Sequence, residues 1–97
     1  MNMSEIDTQI ILNTLGTNSL EFAGIFGSRA RGNASVNSDL DLLVRFKEPQ
    51  GLLRLSALRR QLSHELGVEV DLVTEGALSP YIRENVMKDL KTIYGAR

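Results

Sequence analysis

The chain has 97 residues, of which 42% are hydrophobic and 24% are charged, and its formal net charge is −1. This length fits one compact domain, because domains usually contain about 50 to 250 residues. The near-neutral charge excludes a general electrostatic attraction for nucleic acid, so any recognition of phosphate has to depend on a few local side chains. We therefore expect a single domain over residues 1–97 and no direct binding of nucleic acid.

The sequence contains no cysteine, which excludes disulfides, thiolate metal ligands and cysteine nucleophiles and is consistent with a reducing compartment. No apolar stretch approaches the roughly 18 residues that a membrane span needs. The first ten residues also lack the basic start and the long apolar segment of a secretion signal. We expect a cytoplasmic protein that does not contact a membrane.

Three segments have the apolar spacing that is typical of helices. The first covers residues 4–15 and the second covers residues 52–66, and each is followed by a glycine, as is common at helix ends. The third begins at Ser79 and Pro80, a pair that is typical of a helix start. Apolar residues three and four positions apart continue this helix to Gly95, so the chain is expected to end in a helix.

Three shorter segments, residues 20–26, 39–46 and 68–73, are predicted to be strands. The first is mostly apolar, whereas the other two alternate, with apolar residues on one side and acidic residues at the start of the other side. The segment 31–38 is rich in Gly, Asn and Ser, which favour a loop. This order of elements predicts an α/β fold in which a short mixed sheet has its helices mainly on one face and its acidic side chains on the other.

Three aspartates occupy the polar sides of the last two predicted strands. Asp39 and Asp41 are two positions apart, so their side chains project from the same face with about 6.5 to 7 Å between their α-carbons. Asp71 joins them if the third strand lies beside the second. Three neighbouring carboxylates repel one another unless a cation neutralises them, and Mg²⁺ is a hard ion that takes oxygen ligands. Taken alone, an Asp-x-Asp pattern is more often a set of ordinary exposed strand charges, so the magnesium interpretation depends on a second feature of the sequence.

A Gly-Ser turn upstream of the acidic strand supports the magnesium interpretation. Gly27 ends the first strand and lets the backbone approach a ligand closely, while backbone N–H groups and the Ser28 hydroxyl can face phosphate oxygens. Arg31 lies three residues further on and can add a charge-assisted bond to the same phosphates. The sequence therefore favours a site that is shared by metal and phosphate.

The complete motif consists of Gly27 and Ser28, a spacer of ten residues, the triplet 39–41 and Asp71 on a later strand. This combination resembles the nucleotidyltransferase superfamily of the DNA polymerase beta type. In length and pattern the chain is similar to the minimal nucleotidyltransferases, which are the antitoxin half of bacterial and archaeal HEPN/MNT toxin-antitoxin pairs. The resemblance covers nearly the whole chain and implies a small nucleotidyltransferase fold over residues 1–97.

The resemblance also implies an activity: transfer of AMP from ATP to a tyrosine hydroxyl of a helical HEPN ribonuclease toxin, which is neutralised in a hetero-oligomer. Pyrophosphate leaves as the hydroxyl attacks the α-phosphate, and two Mg²⁺ ions assist. Asp71 would also help to deprotonate the attacking hydroxyl. The residues implied for nucleotide binding are Gly27, Ser28 and Arg31, and those implied for catalysis and metal binding are Asp39, Asp41 and Asp71.

Two alternative functions stay open at this point. One is an antitoxin that masks its toxin by contact alone, although three converging carboxylates favour an enzyme over a pure binder because keeping them together costs electrostatic energy. The other is a small-molecule nucleotidyltransferase of the antibiotic-modifying kind, for which the chain offers little room to build an acceptor pocket. Glu69 shares the face of Asp71 and competes with it for the role of third carboxylate.

Overall fold

A computed structural model describes residues 4–32 and 39–97 of the chain. Residues 33–38 of the predicted loop 31–38 lie outside the described residues. The same is true of residues 1–3, which belong to the segment that was searched for a secretion signal. The helices are α1 (Glu5–Leu15), α2 (Ser28–Arg31), α3 (Leu52–Leu66) and α4 (Pro80–Asp89). The strands are β1 (Leu20–Phe26), β2 (Leu40–Phe46), β3 (Val70–Thr74) and β4 (Lys91–Gly95), and a 3₁₀ turn covers Glu75–Ala77. In the two described ranges, no helix has both the length and the apolar character needed to cross a membrane.

The four strands form one sheet in the order β3-β2-β1-β4. β1 is antiparallel to both of its neighbours, β2 and β4, whereas β2 and β3 are parallel. The parallel pair follows from the connection through α3, because parallel neighbours need a long crossover that is usually a helix. The sheet is therefore mixed, as the sequence predicted, and β3 and β4 form its edges.

The main core lies between the sheet and the two longest helices, α1 and α3. Ile11 of α1 and Leu62 of α3 are completely buried, and they belong to one apolar cluster with Leu40, Leu42 and Val44 of β2. The alternation predicted for β2 thus directs its apolar side into this core. Removal of apolar surface from water is the dominant favourable term in folding, so this cluster is what holds the strand that carries the acidic residues.

The fourth helix packs on the opposite face of the sheet. Val86 and Leu90 form a second apolar cluster with Phe22 of β1 and Leu43 of β2. A Cβ added to Gly24 of β1 would lie 2.7 Å from Cδ1 of Leu90, so glycine at this position allows the close approach. The helices therefore pack mainly on one face, as predicted, but α4 covers part of the face that carries the acidic side chains.

The prediction of a helix that continues to Gly95 is wrong. α4 ends at Asp89, and Leu90 already has an extended backbone with φ −62° and ψ 126°. Residues 91–95 form β4, which pairs with the otherwise open edge of β1. This segment contains threonine, isoleucine and tyrosine, whose branched or aromatic side chains favour strands. Pairing with a distant strand therefore outweighs the helical spacing of the apolar residues.

A one-turn helix, α2, follows β1 directly, where the sequence pattern indicated only a turn. The backbone N–H of Arg31 donates to the carbonyl of Gly27 over 3.1 Å. Gly32 ends the turn in the left-handed conformation, with φ 80°. The predicted loop 31–38 therefore overlaps α2 by one residue, since Arg31 belongs to the helix.

Polar contacts hold together the end of the sheet remote from the three aspartates. Arg45 of β2 donates to the Glu75 carboxylate over 2.8 Å and to the Ala96 carbonyl over 2.9 Å. Its guanidinium carbon lies 5.7 Å from the ring centroid of Phe22. Arg83 of α4 contacts the same Glu75 carboxylate at 3.2 Å. Glu75 therefore joins β2 to α4.

Candidate active site

The three aspartates of the sequence motif lie where β2 and β3 begin. Asp41 is the second residue of β2, and its register partner in the parallel ladder is Asp71 of β3. Asp39 directly precedes β2. Neighbouring strands are about 4.8 Å apart, and residues in register project to the same face, so the side chains of Asp41 and Asp71 start close together. The structure thus places these carboxylates on one face, beside the end of β1.

The electrostatic environment of Asp41 reflects this crowding. Burial raises the pKa of its carboxyl above the ordinary value, the charges of Asp71 and Asp39 raise it further, and the positive charge of Arg31 lowers it. Asp41 is half-buried, whereas Asp39 and Asp71 are exposed. Like charges at short range disfavour ionisation unless an opposite charge is near. The site is therefore one in which a cation would relieve an existing repulsion.

The donor set fits a hard divalent cation such as Mg²⁺, which prefers carboxylate oxygens and retains several waters. Within residues 4–32 and 39–97, no three His, Cys, Asp or Glu side chains are already gathered around one point as a closed metal site. Mutual repulsion of unneutralised carboxylates accounts for such an open arrangement. The backbone therefore sets the positions of the three aspartates, and cation binding would have to draw their side chains together.

Gly27 brings the turn after β1 against the Asp41 carboxylate. Its φ of 78° and ψ of −157° lie in a region that is essentially restricted to glycine. A Cβ at this position would collide with Oδ2 of Asp41. Ser28 follows as the first residue of α2 and is half-buried. The glycine therefore allows the backbone of this turn to lie next to the Asp41 carboxylate.

Arg31, the last residue of α2, is held by a residue from the opposite half of the chain. Its Nη1 lies 2.6 Å from Oδ2 of Asp89, which ends α4. The Arg31 charge also acts on Asp41, whose pKa it lowers. The sequence reasoning did not select Asp89, because it is 58 positions from Arg31 and no local pattern connects the two.

The structure separates Glu69 from Asp71. The Glu69 carboxylate lies 3.2 Å from Nη1 of Arg59 on α3, and its side chain is 66% exposed. Its backbone carbonyl accepts a hydrogen bond of 2.9 Å from the N–H of Leu40. Asp71, in contrast, lies in register with Asp41 and raises its pKa. Asp71 is therefore the carboxylate in register with Asp41, and the Glu69 carboxylate contacts Arg59.

A family profile described as nucleotidyltransferase domain matches residues 9–93 of the chain. The matched span contains the Gly27 turn and all three aspartates. The chain belongs to the nucleotidyltransferase family. The chain is therefore a nucleotidyltransferase, an enzyme that transfers a nucleotidyl group.

This nucleotidyltransferase is similar to two relatives with more specific names. A Methanocaldococcus jannaschii protein, provisionally named a protein adenylyltransferase, is 37% identical over 89 residues, which are 92% of this chain and 95% of the relative. Protein adenylyltransferase MntA of Thermococcus cleftensis is 40% identical over 67 residues, which are 69% of this chain and 68% of the relative. The likeness to the first relative extends over nearly the full length of both proteins.

Two solved complexes contain chains with the same fold. A chain from the crystal structure of a toxin-antitoxin with AMP-PNP has a TM-score of 0.82 and 24% identity, and the match covers 98% of this chain and 76% of that one. A chain from a complex of tri-AMPylated Shewanella oneidensis HEPN toxin with MNT antitoxin has a TM-score of 0.77 and 23% identity, covering 97% and 74%. These likenesses confirm the small nucleotidyltransferase fold that the sequence predicted.

Proposed function

We propose that this nucleotidyltransferase is an antitoxin that transfers AMP from ATP to a tyrosine hydroxyl of a helical HEPN-type toxin and thereby neutralises it. The observation that carries the proposal is the register of Asp41 with Asp71 beside the Gly27 turn, in a chain of this family. Its likeness to protein adenylyltransferases and to chains of toxin-antitoxin complexes supports a protein acceptor in a hetero-oligomer. We propose further that residues 1–97 act as a single domain.

In this proposal the three aspartates hold two Mg²⁺ ions, which neutralise triphosphate charge and activate the attacking oxygen when bound. Asp41 is the central ligand, since it is half-buried between the other carboxylates and Gly27. Asp39 supplies a second carboxylate from the residue before β2. Asp71 is exposed at the start of β3, where it can also accept the proton of the acceptor hydroxyl.

The turn after β1 is proposed to bind the triphosphate. Gly27 lets the backbone approach closely because it carries no Cβ. Ser28 can donate its hydroxyl hydrogen, and the Arg31 guanidinium can donate charge-assisted hydrogen bonds to phosphate oxygens. Arg31 is suited to this role because its side chain is 49% exposed and its charge already acts on Asp41. The α-phosphate would then lie near the aspartates, with pyrophosphate as the leaving group.

The openness of the site favours a macromolecular acceptor over a small one. Asp39 and Asp71 are exposed, and the Arg31 side chain is half-exposed. Sites for small molecules are usually concave and enclose most of the ligand surface. A tyrosine on the surface of another protein can instead approach an open face and exclude water from it on docking. This contrast favours the proposed protein acceptor over the antibiotic-modifying alternative.

The proposal is tested by mixing the purified chain with its candidate partner, a purified helical HEPN-type toxin, and with α-labelled ATP and Mg²⁺. Label is expected on the partner, and mass spectrometry should map it to tyrosine. Asp41→Asn should abolish transfer yet keep or raise the stability of the fold at pH 7, because it removes a repelled carboxylate. Asp7→Asn in α1, outside the motif residues, is the control and should keep full transfer.

Three other outcomes would contradict the proposal, and two of them would assign a different function. A toxin that is silenced without any label would identify an antitoxin that acts by contact alone. Label on a small molecule in the absence of the partner would identify an antibiotic-type enzyme. Substantial transfer by Asp41→Asn would contradict the assignment of Asp41 as the central metal ligand.

A further inference from the structure

Arg31 and Asp89 form an ion pair at the margin of the candidate active site. Nη1 of Arg31 lies 2.6 Å from Oδ2 of Asp89, a distance typical of a strong charge-assisted hydrogen bond. The side chain of Asp89 is 24% exposed and that of Arg31 is 49% exposed. The pair therefore fastens the end of α2 to the end of α4 within reach of the three aspartates.

Asp89 is the better anchored member of this pair. It is followed by Leu90, which is 5% exposed and packs against Phe22 and Leu43, and then by the first residue of β4. The backbone after Asp89 is thus attached to the sheet. Arg31, in contrast, ends a helix of four residues, and its long side chain has many accessible rotamers when unrestrained. The contact therefore restricts Arg31 more than it restricts Asp89.

We propose that Asp89 is a positioning residue that holds the Arg31 guanidinium beside the carboxylate site, ready to bind the phosphates of ATP. This inference rests on the proposed function, in which Arg31 binds the triphosphate. Arginine carries five N–H donors, so a guanidinium that donates to Asp89 can also donate to phosphate. Holding a side chain in its bound conformation raises affinity, because less conformational entropy is lost on binding.

A positioning role of Asp89 and a purely electrostatic role predict opposite effects of Asp89→Asn on the affinity for ATP. Both Asp89 and the phosphates of ATP are negative, so an effect through charge alone would make Asp89→Asn bind ATP more tightly. If Asp89 acts by restraining Arg31, the same variant binds ATP more weakly. The direction of the change therefore separates the two explanations.

The experiment compares Asp89→Asn, Arg31→Ala and the double variant in adenylylation of the HEPN-type partner. Asp89→Asn is expected to raise KM for ATP about 3-fold to 10-fold and to leave kcat within about twofold of wild type, as for a loss of uniform binding. In the Arg31→Ala background, Asp89→Asn should change KM no further. Calorimetry with α,β-methylene ATP and Mg²⁺ on the chain alone should show weaker binding by Asp89→Asn than by wild type. It should show no further weakening when Asp89→Asn is added to Arg31→Ala. Glu84→Gln, a neutralised carboxylate in the same helix, is the control and should leave both values unchanged.

Several results would overturn the inference. A KM that falls or stays constant in Asp89→Asn, while the wild type transfers normally, removes the positioning role and leaves the proposed function intact. An equal rise in KM with and without the Arg31 side chain identifies a general effect on the fold. A wild type that neither binds nor transfers nucleotide removes the proposed function and this inference with it. If Asp89→Asn does not fold, Asp89→Glu replaces it, and the displaced carboxylate should give a smaller rise in KM that also depends on Arg31.

Discussion

At the scale of single residues, Gly27 determines whether the turn can lie against Asp41. Gly27→Ala is expected to lower the free energy of unfolding by about 1 to 3 kcal/mol, because φ 78° with ψ −157° is strained for any residue with a Cβ. It should also abolish transfer, since the new methyl group would displace the Asp41 carboxylate. Urea denaturation measures the first effect, and labelling of the partner measures the second.

Gly76→Ala provides the control for this substitution. Gly76 is exposed, its φ lies outside the left-handed region, and an added Cβ would contact nothing within 4 Å. Its replacement should change stability by no more than about 0.5 kcal/mol and leave transfer intact. If Gly27→Ala and Gly76→Ala had equal stability and equal transfer, the turn would not need glycine at position 27.

At the scale of helices and strands, Glu75 connects β2 with α4. The hydrogen bond from Arg45 holds the pKa of the Glu75 carboxyl below its ordinary value, and Arg83 contributes in the same direction. Because the folded-state pKa is lowered, the ionised Glu75 carboxylate stabilises the folded state fully at pH values above the unfolded-state pKa. The stabilisation is lost as the pH falls through the folded-state pKa, because protonation removes the charge.

Glu75→Gln is therefore expected to destabilise the protein at pH 7 by about 0.5 to 1 kcal/mol, the size of a partly exposed ion pair. The difference from wild type should shrink as the pH falls below the unfolded-state pKa and through the lowered folded-state pKa, because Glu75 then becomes protonated in both states. Denaturant titrations at a series of pH values test this. Glu48→Gln, on an exposed segment between β2 and α3, should show no such pH-dependent difference. A constant difference across the range would exclude the ionised Glu75 as its cause.

The packing of α4 and β4 against β1 gives a second prediction at the scale of elements. Gly24→Ala should lower the free energy of unfolding by about 1 to 3 kcal/mol, since its methyl group would crowd Leu90 at 2.7 Å and the Lys91 carbonyl at 3.0 Å. In the helical arrangement predicted from sequence, residue 91 would not pair with β1, and alanine in a buried strand would be tolerated. Thermal melts of Gly24→Ala and Gly76→Ala, compared side by side, distinguish the two arrangements.

For the molecule as a whole, ligand binding and stability are coupled through the site. Mg²⁺ together with ATP is expected to raise the melting temperature, because a ligand that binds only the folded state stabilises it by mass action. At a nucleotide concentration ten times Kd the gain is about 1.4 kcal/mol, which corresponds to a rise of roughly 5 to 10 °C in a domain of this size. Chelation of the metal should cancel most of the rise, and Asp41→Asn should show little of it. A wild-type melting curve unchanged by millimolar additions would contradict a formed site.

Much of this molecule could be predicted from its sequence because the deciding interactions are local. Helices α1 and α3 follow from apolar spacing and a glycine after the last turn. β2 follows from the alternation of Leu40, Asp41 and Leu42, in which the two leucines are buried and the aspartate is half-buried. The motif from the Gly27 turn to the aspartates also predicted the family, because the spacing of its residues is read directly from the sequence. The roles of the individual site residues stay predictions.

Tertiary structure decided the features that depend on residues distant in sequence. Residues 91–95 form β4 rather than helix because β1 offers an unpaired edge. Asp71 lies in register with Asp41 because β2 and β3 pair in a parallel ladder, and the Glu69 carboxylate contacts Arg59 because α3 packs near β3. Asp89 reaches Arg31 only because α4 crosses the sheet on the face of the site. Local periodicity carries no information about such pairings, since their energy arises only when two separate segments meet.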